Sequence, residues 1–268
     1  MSQITVISYN EYRSTDIYSE ILSKLVDLGT NFQEINLEKN TKKESIYTEG
    51  NDVISIGGDG TALKGMKYAW HQESVLLPIG YGEIGYLVNH DKRTYGNLIK
   101  QLVNGTYEAT ERNVLQFSNN DKNIPAFNDI AITKSGSQRL LDIDVSAYNQ
   151  KINLKSDGIV VSTASGSTAY NYSAGGPIVQ PSSNAIILTP VAPFTKFPRS
   201  IVVDNGSELN IKIPKEQHYS IQFDGVEEYL SDTKTDETYN YKLSSRNLEV
   251  LAELDIPKLD LFLNQILR

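Results

Sequence analysis

The chain changes texture once, near Gly105, and that change limits the folds open to it. Before it, strand-like and helix-like runs alternate. Ile4, Val6 and Ile7 start a strand, and residues 16–28 then place Ile17, Ile21, Leu22, Leu25 and Leu28 at helical spacing, with Gly29 as the C-terminal cap. Residues 32–37 read as a second strand and residues 40–50 as a polar loop. Val53, Ile54 and Ile56 form a buried strand, and residues 75–79 form another. Leu98, Ile99, Leu102 and Val103 mark a helix that Gly105 ends. Such alternation implies a parallel sheet covered on both faces.

After Gly105 the runs are short, many alternate apolar with polar residues, and turn residues separate them. They fall at 114–117, 126–133, 141–148, 158–162, 185–188, 200–203, 209–213 and 220–223. One helical interruption is expected, within 167–174. That pattern is an all-β region. From Pro257 the pattern changes back, with Leu259, Phe262, Leu263, Ile266 and Leu267 on one helical face. Such a helix needs a surface to cover, and the N-terminal sheet is the expected one. Three segments follow: an α/β domain over 1–105, a β-rich domain over 106–245, and a returning segment over 246–268.

Composition narrows the functions. A net charge of −8 argues against a surface for nucleic acid or other polyanions. Cysteine is absent, which removes disulfides and thiolate metal sites. No stretch approaches the roughly 20 apolar residues of a membrane span, and the first residues lack a secretory pattern. The expectation is a soluble, cytoplasmic protein.

The chemistry concentrates in a few stretches. The strand at Val53–Ile56 stops abruptly at Gly57-Gly58-Asp59-Gly60, with Thr61 placed to open a helix through Ala62, Leu63 and Met66. Glycines bring bare backbone N–H groups close to a ligand. A tight turn with Asp59 capping the helix explains the same residues equally well. Gly80-Tyr81-Gly82-Glu83-Ile84-Gly85 spells G-x-G-x-x-G, but a dinucleotide fingerprint should open a helix, and Tyr86-Leu87-Val88-Asn89-His90-Asp91 does not read as one. Neither a Walker A motif nor a nucleophile elbow occurs. His71, His90 and His218 have no metal-ligand spacing. Residues 155–177 are dense in hydroxyls and glycines, a concave donor-and-acceptor surface in which Tyr170 either stacks on a planar ring or packs inward. Asn128-Asp129 sits inside the run 126–133, where a strand prefers apolar groups.

Together these stretches resemble the NAD kinase family. The family pattern is a strand ending in Gly-Gly-Asp-Gly, an Asn-acidic pair, and a Ser-Asp-Gly…Thr-Ala-Tyr segment. Here these are Gly57 to Gly60, Asn128-Asp129, and Asp157-Gly158 with residues 162–173. Gly82-Glu83-Ile84-Gly85-Tyr86-Leu87 resembles the family's Gly-x-x-Gly-Phe-Leu loop. The likeness runs in order from about Asp52 to Asp224. Gly80 stands where the family often has Asn, Val226 where Gln is common, and residues 191–198 match loosely.

The resemblance implies an α/β plus all-β class: a Rossmann-like N-terminal domain with a parallel sheet, a β-sandwich-like second domain, and a C-terminal helix on the first. It implies transfer of ATP's terminal phosphoryl group to the 2′-hydroxyl of NAD's adenosine ribose, giving NADP, at a site between the domains. Asp59 would be the general base, and Gly57, Gly58 and Gly60 would face phosphates, with Lys64 in reach of one. Asn128 and Asp129 would hold the acceptor's hydroxyls, and Asp157, Thr168, Ala169, Tyr170, Ser173 and Ala192 would line the NAD site. Lys155 would contact NAD, across a subunit interface in a homodimer or homotetramer. Mg²⁺ would come with ATP, and polyphosphate stays open as a donor. Lipid kinases and sugar-phosphate kinases share Gly-Gly-Asp-Gly, but the hydroxyl-rich segment opposes the former and the acidic balance the latter. An NAD-sensing module without turnover is the remaining alternative.

Overall fold

The structure is a computed structural model that describes residues 3–38, 51–81, 85–119, 122–147, 150–194, 199–206, 209–225, 227–232 and 235–252. The chain divides into two compact units: Met1–Glu111 with Leu248–Arg268, and Arg112–Asn247.

In chain order, the first unit holds β1 (Ile4–Ser8), α1 (Asn10–Arg13), α2 (Asp16–Asp27), β2 (Phe32–Asn36), β3 (Asp52–Gly57), α3 (Asp59–Gln72), β4 (Leu76–Gly80), α4 (Lys92–Asn104) and β5 (Thr110–Arg112). The helices start and stop where their end groups find partners. Thr15 accepts the Tyr18 N–H ahead of α2, and Asp91 accepts the Arg93 N–H ahead of α4. Gly29 and Gly105 close them at φ 65°. Strands β1 to β4 pair in parallel, and the sheet runs β2-β1-β3-β4, then β18 (Leu248–Val250), then β5.

Successive strand residues face opposite ways, so Ile54 and Ile56 cluster with Ile17, Ile21 and Leu25 of α2 and with Leu98, Ile99 and Leu102 of α4. Ser55 and Leu76 face α3 instead, where Gly65 has no room for a side chain: a Cβ there would lie 2.8 Å from Leu76 Cδ1 and 2.9 Å from Ser55 Cβ.

The second unit holds β6 (Leu115–Asn119), β7 (Lys122–Ala126), β8 (Asp129–Lys134), β9 (Leu141–Ala147), β10 (Gln150–Ser156), β11 (Gly158–Thr163), a 3₁₀ turn (Ser165–Thr168), α5 (Tyr170–Ser173), β12 (Ala185–Val191), β13 (Ile201–Asp204), β14 (Leu209–Ile213), β15 (His218–Phe223), β16 (Glu227–Asp232) and β17 (Glu237–Leu243). Two six-stranded sheets result, β10-β9-β14-β17-β6-β7 and β13-β12-β11-β8-β15-β16, with antiparallel pairing within each. Alternate residues from both, among them Leu115, Phe117, Ile130, Ile132, Ile143, Val161, Ile211 and Tyr239, share one buried cluster. This is a β-sandwich.

The chain then returns to the first unit through β18 (Leu248–Val250), whose Val250 pairs in parallel with Leu76. The break expected after Gly105 lies inside the first unit, because β5 extends the first sheet. The helix expected from Pro257 and the polar loop expected at 40–50 lie outside the described residues. Among the described residues, no helix is long and apolar enough to cross a membrane.

Candidate functional site

In the first unit the glycine turn ends β3. Gly57 has φ 154°, and a Cβ on it would lie 2.3 Å from Thr61 Oγ1 and 2.9 Å from a ring carbon of Tyr12. Only glycine fits there. Gly58 is the N-cap of α3 and supplies no side-chain cap. The helix opens at Asp59, two residues before the expected Thr61. A Cβ on Gly58 or Gly60 would meet nothing within 4 Å, so both flank open space.

Asp59 does not cap its own helix. Its Oδ2 accepts the Tyr86 N–H and its Oδ1 the Leu87 N–H, both at 2.9 Å. Gly85 packs against that carboxylate, where an added Cβ would sit 3.0 Å from Oδ1. His90 contacts the Gly85 carbonyl at 3.0 Å through Nε2, and the buried Tyr95 hydroxyl donates to the Gly80 and Asn89 carbonyls. The loop after β4 is therefore a cradle for a carboxylate. The helix after it, α4, begins only at Lys92, so the G-x-G-x-x-G spelling does not open a helix as a dinucleotide fingerprint would. Tyr12 and Tyr81 meet edge to face at 5.8 Å and help wall an open cavity of about 540 Å³ next to the turn. Lys64 is half-buried on α3.

In the second unit Asn128 stands before a strand and Asp129 is the first residue of it. β7 ends at Ala126, the chain bends at Phe127 and Asn128, and β8 opens at Asp129. The expected run is broken because Asp224 captures the backbone there. Its carboxylate accepts the N–H groups of Phe127 (3.0 Å), Asn128 (2.6 Å) and Asp129 (3.2 Å).

Asp129 is 4% exposed. Burial, then the neighbouring Asp224 charge, pushes its carboxyl up to about 7, against the opposing Tyr170 N–H. Asp129 and Tyr170, distant in sequence, thus meet.

The hydroxyl-rich segment is mostly committed to holding itself in place. Thr163 donates its hydroxyl to the Phe127 carbonyl and receives the Gly166 N–H. A Cβ on Gly166 would lie 2.0 Å from the Asn128 carbonyl oxygen, so the 3₁₀ turn rests directly on the Asn128 backbone. Ser167 exchanges hydrogen bonds with Val179. Buried Asn171, absent from the sequence-based set, donates to the Ser167 and Pro177 carbonyls and accepts from Thr189. An Asn within a run of small hydroxyl residues was its one sequence signal. Thr168, Ala169 and Tyr170 remain partly exposed on the same turn, and Ser173 is exposed.

The remaining expected residues lie further along the sandwich. Asp157, between β10 and β11, pairs with Lys134 at 2.7 Å. Lys155 is half exposed and 3.8 Å from Asp142. Ala192, just past β12, takes φ 47°, unusual for a residue with a Cβ. Among the described residues no group of three or more His, Asp or Glu could hold a metal ion.

Gly58 and Gly60 border open space at the start of α3, and a helix N-terminus favours an anion such as phosphate. Residues 127–251 match the family model of the ATP-NAD kinase C-terminal domain. The NAD kinase of Bacteroides fragilis is 32% identical over 212 residues, covering 75% of this chain and 73% of that one. In structure, the chain resembles yeast NADH kinase complexed with NADH (TM-score 0.82, 20% identity, 99% of this chain and 87% of that one). It also resembles an NAD kinase from Archaeoglobus fulgidus in complex with ATP (TM-score 0.76, 21% identity, 97% of each). The chain belongs to the NAD kinase family.

Proposed function

We propose that the chain transfers the terminal phosphoryl group of ATP to the 2′-hydroxyl of NAD's adenosine ribose, giving NADP. Beyond family membership, the observation that carries the chemistry is Asp59, held by two backbone N–H groups instead of capping α3. A ribose hydroxyl is a poor nucleophile at neutral pH, and a positioned carboxylate that takes its proton contributes typically ~10²–10⁴-fold. In this reading Asp59 is that base. Phosphoryl transfer otherwise depends on positioning and charge stabilisation. Gly58 and Gly60, which flank open space at the start of α3, let phosphate oxygens approach the helix N-terminus, while Gly57 makes the turn, and Lys64 adds charge nearby.

On the sandwich, Asn128 and Asp129 hold the acceptor's ring and ribose hydroxyls. Thr168, Ala169, Tyr170, Ser173, Asp157 and Ala192 line the rest, and Lys155 completes the NAD contacts from a neighbouring copy. Mg²⁺ entering with ATP would neutralise charge on the transferring group, and it needs few protein ligands. The fit on the protein side is a single carboxylate, Asp59, at the glycine turn. The same reading makes the protein a cytoplasmic homodimer or homotetramer.

The test is direct. Incubation with ATP, Mg²⁺ and NAD should yield NADP, measured with an NADP-specific dehydrogenase; folded, NAD-binding protein that forms none would sink the proposal and favour an NAD-sensing module. Asp59→Asn should bind NAD normally and lose most turnover, and full activity in that variant would remove Asp59 as the base. Replacing ATP with inorganic polyphosphate identifies the donor.

A further inference from the structure

The backbone of residues 127–129 is held from both sides. Its carbonyls are taken by β11: the Thr163 hydroxyl donates to Phe127 at 2.8 Å, and the Thr163 N–H donates to Asn128 at 2.9 Å. Its three consecutive N–H groups all point at one carboxylate, that of Asp224, which also donates its own N–H to the Asp129 carbonyl at 2.9 Å. Successive N–H groups converging on an anion form a nest, here filled from within the chain.

Two features make Asp224 more than a turn residue. It takes φ 52°, a conformation disfavoured for a residue with a Cβ, while Gly225 beside it takes φ 65° at no such cost. It also places a like charge against the buried Asp129, which raises the cost of ionising Asp129. An amide or a glycine would make the turn without that cost.

We propose that Asp224 is a positioning residue for the acceptor nucleotide, its carboxylate fixing the backbone from which the Asn128 and Asp129 side chains project. The inference rests on the NAD-binding role proposed above for those two side chains. Asp224 is not a catalytic residue in this account: it acts through the turn. Among the described residues, the charged or polar groups facing the Asp129 carboxyl are Asp224, from the turn after β15, and the Tyr170 N–H, from α5.

The test compares full-length protein with Asp224→Asn and Asp224→Gly. All three N–H groups reach Asp224 Oδ1, and the Phe127 N–H also reaches Oδ2; an amide gives up the charge and sets an NH₂ donor against the Phe127 N–H, so Asp224→Asn should weaken NAD binding by roughly tenfold or more, the scale of one lost charge-assisted hydrogen bond. KM for ATP should stay at its original value. In ligand-free protein, the Asp129 carboxyl, followed by carbon NMR, should titrate at lower pH in Asp224→Asn. A negative neighbour has gone, but burial remains. Asp224→Gly accepts φ 52° without strain, so it retains the turn if Asp224→Asn misfolds, and it should show the same selective loss. Unchanged NAD affinity and an unmoved Asp129 midpoint in folded variants overturn the inference, as does equal weakening of NAD and ATP. Original protein that forms no NADP overturns the functional reading and this one with it. Turnover in the original protein beside unaffected variants overturns this one alone.

Discussion

Gly57 and Gly60 lie three residues apart in one motif, yet the space around them differs completely. A methyl on Gly57 would overlap Thr61 and Tyr12, whereas one on Gly60 would meet nothing. Gly57→Ala should therefore lower stability by about 1–3 kcal/mol through overpacking. Gly60→Ala, in the first turn of α3, should leave stability unchanged or raise it by up to about 1 kcal/mol. If the open face at Gly60 admits phosphate, Gly60→Ala should still reduce turnover. Thermal melts set beside NADP formation separate the two effects; a Gly60→Ala protein with full turnover would show that no ligand approaches there.

Among elements, one close contact in the sandwich is the 3₁₀ turn lying on Asn128, just before β8. Gly166 lets the turn's backbone touch the Asn128 carbonyl, and any side chain there would have to push one of them away. Gly166→Ala should therefore cost the sandwich about 1–3 kcal/mol and weaken NAD binding more than ATP binding, read by calorimetry with each nucleotide. In the first unit, Gly65 plays the corresponding packing role between α3 and the sheet. Both glycines are invisible to hydrophobic periodicity, since a glycine adds nothing to an apolar pattern. Their role follows from how closely the glycine's backbone approaches its neighbour, the Asn128 backbone for Gly166 and the Ser55 and Leu76 side chains for Gly65.

At the scale of the molecule, the first unit is discontinuous in sequence. Its sheet takes β18 between β4 and β5, after the whole sandwich has been made. A chain ending at residue 247 loses that strand and the buried Leu248, Val250 and Leu251. Its first unit should fail to melt cooperatively. Residues 112–247 alone should give a β-type circular dichroism spectrum and a single cooperative transition, because their cluster of Leu115 to Leu243 is contained within them. A cooperative first unit in the shortened chain would show that β18 is dispensable.

The sequence by itself determined the change from alternating strands and helices to a run of short strands, the two fold classes and the motif residues, because these depend on local periodicity, turn chemistry and residue identity. The short helix α1 and strands β5, β7, β10, β16, β17 and β18 escaped that reading: Pro125 interrupts β7, and polar outward faces dilute β10 and β17. Only the tertiary structure decided what Asp59 does. A carboxylate after a glycine turn can cap its own helix or look elsewhere, and the choice depends on N–H groups at Tyr86 and Leu87, beyond α3 and β4. It likewise decided that Asn128 stands at a bend and Asp129 at a strand's first position, because the carboxylate that makes the bend lies at Asp224. Local patterns record what a segment prefers; hydrogen bonds between distant segments choose among those preferences, and no local pattern contains them.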